Sequence, residues 1–172
     1  MVVSRRAVLQ IAGLAGAGAA LNGCGFKLRG SQAFAFQRIA LLPSPGGAMA
    51  QELRSSFGSA VQVLAADAPL TQAQLVLTLV DEQREKMVVG TNVSGQVREF
   101  QLRLRARLSV RTPKGKVIAA DDEIVQRRDI SYNESAALAK EAEEALLYRD
   151  MQTDIVQQIL RRLAAIQPGQ LD

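Results

Sequence analysis

The chain has 172 residues, 48% of them hydrophobic, with 21 Lys and Arg against 17 Asp and Glu for a formal net charge of +4. It has no histidine, which excludes His-based acid–base catalysis, Ser-His-Asp and Cys-His nucleophilic sites, and the commonest metal ligand. A single cysteine excludes an internal disulfide, and five Phe, two Tyr and no Trp leave the core to aliphatic side chains.

Arg5 and Arg6 open a positively charged segment, and residues 7–21 are small or apolar apart from Gln10. That run is too short and too rich in Ala and Gly for a spanning helix, which needs about 20 consecutive apolar residues. Residues 1–23 therefore read as a cleaved signal peptide. Ser4-Arg5-Arg6-Ala7-Val8-Leu9 fits either a twin-arginine export signal or two ordinary charges on a general secretory one. Leu21-Asn22-Gly23-Cys24 resembles the lipobox of bacterial lipoproteins, which are cut before the cysteine. The resemblance implies a covalent N-acyl diacylglycerol on Cys24, no other cofactor, and a chain tethered to a membrane without spanning it. The alternative leaves Cys24 a bystander after an ordinary signal. Gly25 stands where Asp would retain such a lipoprotein on the inner membrane, and so points to the outer one.

Loss of residues 1–23 leaves 19 basic against 17 acidic residues, an excess that gives no reason to expect a nucleic-acid partner. The distribution is more informative. Between Arg84 and Arg128 there are 11 Lys or Arg and 5 Asp or Glu, whereas the C-terminal segment leans acidic. A basic middle segment calls for an acidic partner, such as a phosphorylated lipid.

Residues 24–37 read as the lipidated N-terminus and a linker, with a single domain over 38–166 and a short tail over 167–172. A first strand over Arg38 to Leu42 stops at Pro43-Ser44-Pro45-Gly46-Gly47, and a helix from Ala48 to Phe57 follows. Residues 61–64 form a short strand and 74–89 a long one, in which Val76 and Val80 blur the alternation. The turn-rich stretch 90–95 is a hairpin tip. The next strand is the cleanest: Phe100, Leu102, Leu104, Ala106, Leu108 and Val110 face one way, and Gln101, Arg103, Arg105, Arg107, Ser109 and Arg111 the other. Such period-2 alternation describes a half-buried antiparallel strand with one wet face. After a turn at Thr112–Lys116 a further strand runs from Val117 to Ser131. Asn133 or Ser135 caps a last helix whose apolar face is Leu147, Met151, Ile155, Ile159, Leu163 and Ile166. The predicted fold is α+β: a two-layer sandwich with a mostly antiparallel sheet of about four to five strands and two helices packed on one face.

Cys24-Gly25-Phe26-Lys27-Leu28-Arg29-Gly30 resembles the lipidated N-terminus of the LptE family of lipopolysaccharide-assembly lipoproteins. Ala137-Leu138-Ala139-Lys140 and the run from Tyr148-Arg149-Asp150-Met151 to Ile159-Leu160-Arg161-Arg162-Leu163 are similar to it as well. The resemblance implies a non-catalytic protein of the outer membrane that sits in the lumen of the LptD β-barrel, assists its assembly and binds lipopolysaccharide. It also makes Lys140 a lipid-contact residue.

From the residues themselves, Arg103, Arg105 and Arg107 stand at alternate positions about 7 Å apart, with guanidinium forks suited to phosphate. Lys86 and Arg98, with Arg84, flank the base of the hairpin. The plain alternative pairs the three arginines with Asp121 and Glu123 on the next strand or leaves them in water. Two other functional readings stand beside this one: a periplasmic lipid carrier or auxiliary lipoprotein of an ABC-type exporter, and a lipid-anchored hydrolase using a Ser-Lys pair.

Overall fold

The computed structural model describes residues 32–171. The expected signal peptide and lipobox, with Cys24 and the segment to Gly30, lie outside the described residues. The elements are β1 (Arg38–Leu42), α1 (Ala48–Phe57), β2 (Gln62–Val63), β3 (Leu75–Thr91), β4 (Val97–Arg111), β5 (Val117–Ser131) and α2 (Ala137–Ala164), with short 3-10 turns at Leu70–Gln72, Glu134–Ala136 and Pro168–Gln170.

One five-stranded sheet has the order β2-β1-β3-β4-β5. The long strands β3, β4 and β5 run antiparallel through tight turns. β1 pairs parallel with both neighbours, because α1 carries the chain back before β2 begins and a parallel pair needs such a crossover. Both helices pack on one face, giving the expected two-layer α+β sandwich.

The core between the layers is aliphatic. Ile39, Leu75, Leu77, Leu102, Leu104 and Ala106 from the sheet meet Met49, Leu53, Met151, Ile155 and Ile159 from the helices, all of them shut off from water. Each such large side chain stabilises the fold by about 1.5–3 kcal/mol on burial. The buried stripe of α2 is wider than the four-residue spacing indicates, since Tyr148, Gln152, Val156 and Leu160 are buried too. Gln152 Nε2 donates to Glu52 Oε2 at 2.7 Å, tying α2 to α1. Asn133 caps the turn before α2, its side-chain oxygen accepting from Ser135 N at 3.1 Å.

Two details depart from the sequence reading. The linker expected to end at residue 37 already belongs to the core: Phe36 is buried, and Phe34 packs tilted against Phe36 and edge-on against Phe57, with ring centroids 5.4 and 5.5 Å apart. Ile166 is buried and Leu171 packs against the same core, so the tail is partly held as well.

The irregular alternation of β3 has a geometric cause. Leu79 pairs with Leu108 and Asp81 with Arg107, so Val80 is an extra residue, a β-bulge. Leu75, Leu77 and Leu79 precede it on the helix side. Beyond it Glu82, Arg84, Lys86 and Val88 take that side, opposite Ala106, Leu104, Leu102 and Phe100. Val76 faces the other way, into a small second cluster with Ala40 and Ala73.

Candidate functional site

The bulge at Val80 sorts the charges of β3 onto two surfaces. On the open face of the sheet, Asp81, Gln83 and Glu85 lie opposite Arg107, Arg105 and Arg103. Arg105 donates to Glu85 Oε1 at 2.8 Å and to Gln83 Oε1, and its other terminal nitrogen lies 3.9 Å from Glu123 Oε2. Arg103 stands 3.6 Å from the second oxygen of Glu85, and Arg107 3.6 Å from Asp81. The main partners are thus on the preceding strand and not, as the sequence reading had it, on the following one. Glu123 takes part at longer range. Asp121 sits at a second bulge with φ 45° and makes no ion pair among the described residues. Three arginines are balanced by three carboxylates, and Gln101 bonds Asp129 at 3.0 Å beside them. This face is wet, polar and close to neutral.

The other candidates sit elsewhere. Lys86 and Lys140 meet in a cleft on the helix side, where the far end of the sheet passes the start of α2. The cleft is lined by Lys86, Phe100, Ser131, Tyr132, Lys140 and Glu144. Lys86 Nζ is 2.6 Å from Glu144 Oε2 and 4.3 Å from the centre of the Phe100 ring. The negative face of that ring favours the ammonium, and Tyr132 packs edge-on against it at 5.1 Å. Lys140 Nζ donates to Ser131 Oγ at 3.0 Å and to Glu143 Oε2 at 2.8 Å. Arg98 is exposed on the hairpin and makes no ion pair among the described residues. The structure therefore joins Lys86 to Lys140, keeps Arg103, Arg105 and Arg107 together on another surface, and leaves Arg98 apart.

Next to the cleft, Tyr148 spans the layers. Its hydroxyl donates to the backbone oxygen of Glu85 at 2.6 Å, and the Arg84 guanidinium lies 5.3 Å from its ring centre. Burial holds its phenol above the usual range; the negative charges of Glu144 and Glu85 add to this and Arg84 opposes it. Desolvation likewise raises the Glu82 carboxyl, against the pull of Arg84.

Several of these residues went unread in the sequence. Phe100 looked like one more core position, and Tyr148 fell just off the four-residue apolar spacing. Glu143 and Glu144 counted only towards the acidic lean of the C-terminal segment. The acidic helix and basic sheet answer each other through Lys86 with Glu144 and Arg128 with Asp154, both at 2.6 Å, and a pair of the opposite sense joins Arg162 of α2 to Asp122 of β5. What the site offers is paired ammonium groups, hydroxyl donors and aromatic faces, the equipment of a binding surface.

A two-layer α+β domain of this kind has known relatives. The family LptE, described as Lipopolysaccharide-assembly, matches residues 33–163. The chain is 29% identical over 151 residues to an LPS-assembly lipoprotein LptE of Photorhabdus laumondii, covering 84% of this chain and 79% of that one. It is 27% identical over 152 residues to an LPS-assembly lipoprotein LptE of Yersinia enterocolitica, covering 87% and 72%. Among solved structures it is similar to an uncharacterized lipoprotein B from Nitrosomonas europaea, with a TM-score of 0.70, 32% identity, and coverage of 82% of this chain and 91% of that one. The rare lipoprotein B of Shewanella oneidensis shares the fold, with a TM-score of 0.64 at 23% identity over 75% of this chain and 95% of that one. The chain belongs to the LptE lipopolysaccharide-assembly family.

Proposed function

We propose that this chain is a lipoprotein component of lipopolysaccharide assembly that acts by binding and carries out no covalent chemistry. In this reading it is held at the outer membrane by lipid on Cys24. It seats in and plugs the lumen of an LptD-like β-barrel, assists that barrel's assembly, and binds lipopolysaccharide in transit.

The observation that carries the lipopolysaccharide part is the meeting of Lys86 and Lys140 in one cleft beside Ser131 and the Phe100–Tyr132 pair. Each ammonium is held by a carboxylate of α2, Glu144 or Glu143, on a surface open to water. A lipid phosphate brings more charge than one carboxylate and can take its place, while aromatic rings support the neighbouring lipid. The open face suits another role. Arg103, Arg105 and Arg107 are already answered by Glu85, Asp81 and Glu123, and a hydrated, near-neutral polar face fits the wall of a water-filled barrel.

The test is a pull-down from detergent-solubilised outer membrane with a C-terminally tagged chain. Recovery of one large β-barrel in near-equal amount supports the plug, and its absence sinks it. For the lipid, Lys86→Glu with Lys140→Glu should lose binding to immobilised lipopolysaccharide, whereas Arg107→Glu should keep it.

A further inference from the structure

The two edges of the sheet differ greatly in length. At one edge β2 has two residues, whereas β5 closes the other with fifteen, and no strand lies beyond it among the described residues. A long free edge is a template for another strand, and proteins cover or blunt such edges.

The β4–β5 ladder decides what this edge presents. The two strands stay in regular register over residues 122–131 of β5. Tyr132 N, one step beyond, donates to Arg98 O at 2.7 Å, so the even-numbered residues bond inward to β4. Residues of an antiparallel strand alternate in this respect. Glu123, Val125, Arg127 and Asp129 therefore turn their N–H and C=O groups outward. The Arg127 carbonyl accepts from the Arg128 guanidinium at 2.9 Å, a side-chain substitute for a partner strand. Side chains of these four residues lie on the open face, opposite Arg107, Arg105, Arg103 and Gln101.

The charges along the edge are self-complementary. Acid comes first, at Asp122 and Glu123, then Val125, then Arg127 and Arg128. An antiparallel second copy centred on Val125 sets Val125 opposite itself, Glu123 opposite Arg127 of the second copy, and Asp122 opposite its Arg128. Each ion pair then occurs twice about a twofold axis. Val125, Glu123 and Arg127 all turn their backbone groups outward, so the same alignment lets them exchange hydrogen bonds across the axis. Arg127 is exposed and makes no ion pair among the described residues, and Glu123 stands 3.9 Å from Arg105. On the helix side Asp122 and Arg128 keep Arg162 and Asp154 while gaining each other. Sliding the copies by one register step loses the match, because Glu123 then faces Asp129 or Val125. The bulge at Asp121, with φ 45°, ends the regular ladder before Asp129 would meet Asp121.

We propose that β5 pairs with β5 of a second copy of this chain, antiparallel and centred on Val125, over residues 122–128. Main-chain bonds join the two sheets into one, and the charge pattern fixes the register. A chain seated in a barrel lumen, as proposed above, is single, so the pair belongs to the chain that has not yet met its barrel, when the edge would otherwise lie open. The inference rests on the edge and its charges and does not require the lumen reading.

Two differently tagged copies of the full chain, mixed in detergent and captured through one tag, test it. The parent chain should bring down its other copy. Glu123→Arg in both copies, or Arg127→Glu in both, sets like charges opposite each other twice and should lower recovery about tenfold or more. A Glu123→Arg copy mixed with an Arg127→Glu copy puts opposite charges back across the axis, and recovery should return. The double variant Glu123→Arg with Arg127→Glu should pair with itself as the parent does. Both positions are exposed, so thermal unfolding of each variant should match the parent and show that it is folded. Association through the N-terminal segment is common to all variants and cannot answer to the charge swaps. Recovery that ignores the swaps, or no rescue in the mixture, would overturn the proposal. So would copies that fail to capture one another while the same swaps weaken capture of an outer-membrane barrel, which would give the edge to that partner. Neither lipopolysaccharide nor a barrel is needed for pairing, so this result is read separately from the function proposed above.

Discussion

The Tyr148 hydroxyl reaches across the layer interface to the backbone carbonyl oxygen of Glu85, 2.6 Å away, while the carboxylate of the same Glu85 lies on the opposite face of the sheet and holds Arg105 at 2.8 Å. One residue of β3 thus joins the helix that shapes the lysine cleft to the arginine face. The link depends on the Val80 bulge, which turns the Glu85 side chain to the open face and leaves Lys86 for the cleft.

Tyr148→Phe removes the donor and leaves the Glu85 carbonyl without this partner, at a cost of about 1–2 kcal/mol. Urea denaturation at neutral pH measures it. The phenol adds a pH dependence. Its folded value is raised above the ordinary 10.0, so the fold favours the neutral form. The contribution is fully present below that ordinary value and is lost as pH rises through the raised folded value. The stability difference between the parent chain and Tyr148→Phe should therefore be largest at neutral pH and shrink in alkali. A difference that grows in alkali would contradict the assignment.

Lys86→Ala and Lys140→Ala should each weaken lipopolysaccharide binding about tenfold or more, the loss of one charge-assisted contact of roughly 1.5–3 kcal/mol. Neither should change stability by more than about 1 kcal/mol, because the ion pairs they break are solvent-exposed. Glu144→Gln should do the reverse and tighten binding by freeing Lys86 from its carboxylate. Surface plasmon resonance over immobilised lipopolysaccharide at two salt concentrations checks all three. Equal affinity of the Glu144→Gln and parent chains would show that the carboxylate does not compete for the site.

Phe36→Ala should cost about 3–5 kcal/mol, the usual range for emptying a buried aromatic site. The side chain is 1% exposed and belongs to the same core as Leu53 and Phe57. Were residues 31–37 only a tether, the substitution would leave the denaturation midpoint where it is.

Strand β4 was legible from Phe100 to Arg111, because one face is buried from Leu102 to Val110 and the other is wet, and a period of two records that contrast directly. Helix α2 was legible for the same reason at its own period. The lysine cleft was not. Its two lysines are 54 positions apart, and they meet only because β3 absorbs Val80 as a bulge and α2 starts beside Ser131. A bulge adds one position and leaves no mark in composition, so Val80 read as an apolar residue spoiling a pattern. Phe36 was missed because a lone aromatic flanked by Ala35 and Gln37 shows no periodicity. The alternative that paired the arginines with Asp121 and Glu123 missed their main partners for a related reason: Glu85 and Asp81 come opposite Arg103 and Arg107 only once the register is known.

The bulge itself can be tested by deletion. Val80 is half exposed, and the pairs on either side of it, Leu79 with Leu108 and Asp81 with Arg107, are already adjacent positions on β4. Deleting Val80 closes the ladder without moving any other side chain to the opposite face. The variant should fold, unfold cooperatively and keep its stability within about 1 kcal/mol of the parent. Deleting Gln83, three residues on, has the opposite consequence. The residues beyond it would exchange faces, carrying Arg84 onto the open face opposite Arg105 and the Glu85 carboxylate towards Tyr148, since a one-residue slip inverts a strand. That variant should lose cooperative unfolding or shift its midpoint strongly downward. If both deletions were equally damaging, the length of β3 and not the phase of its side chains would be what the two surfaces depend on.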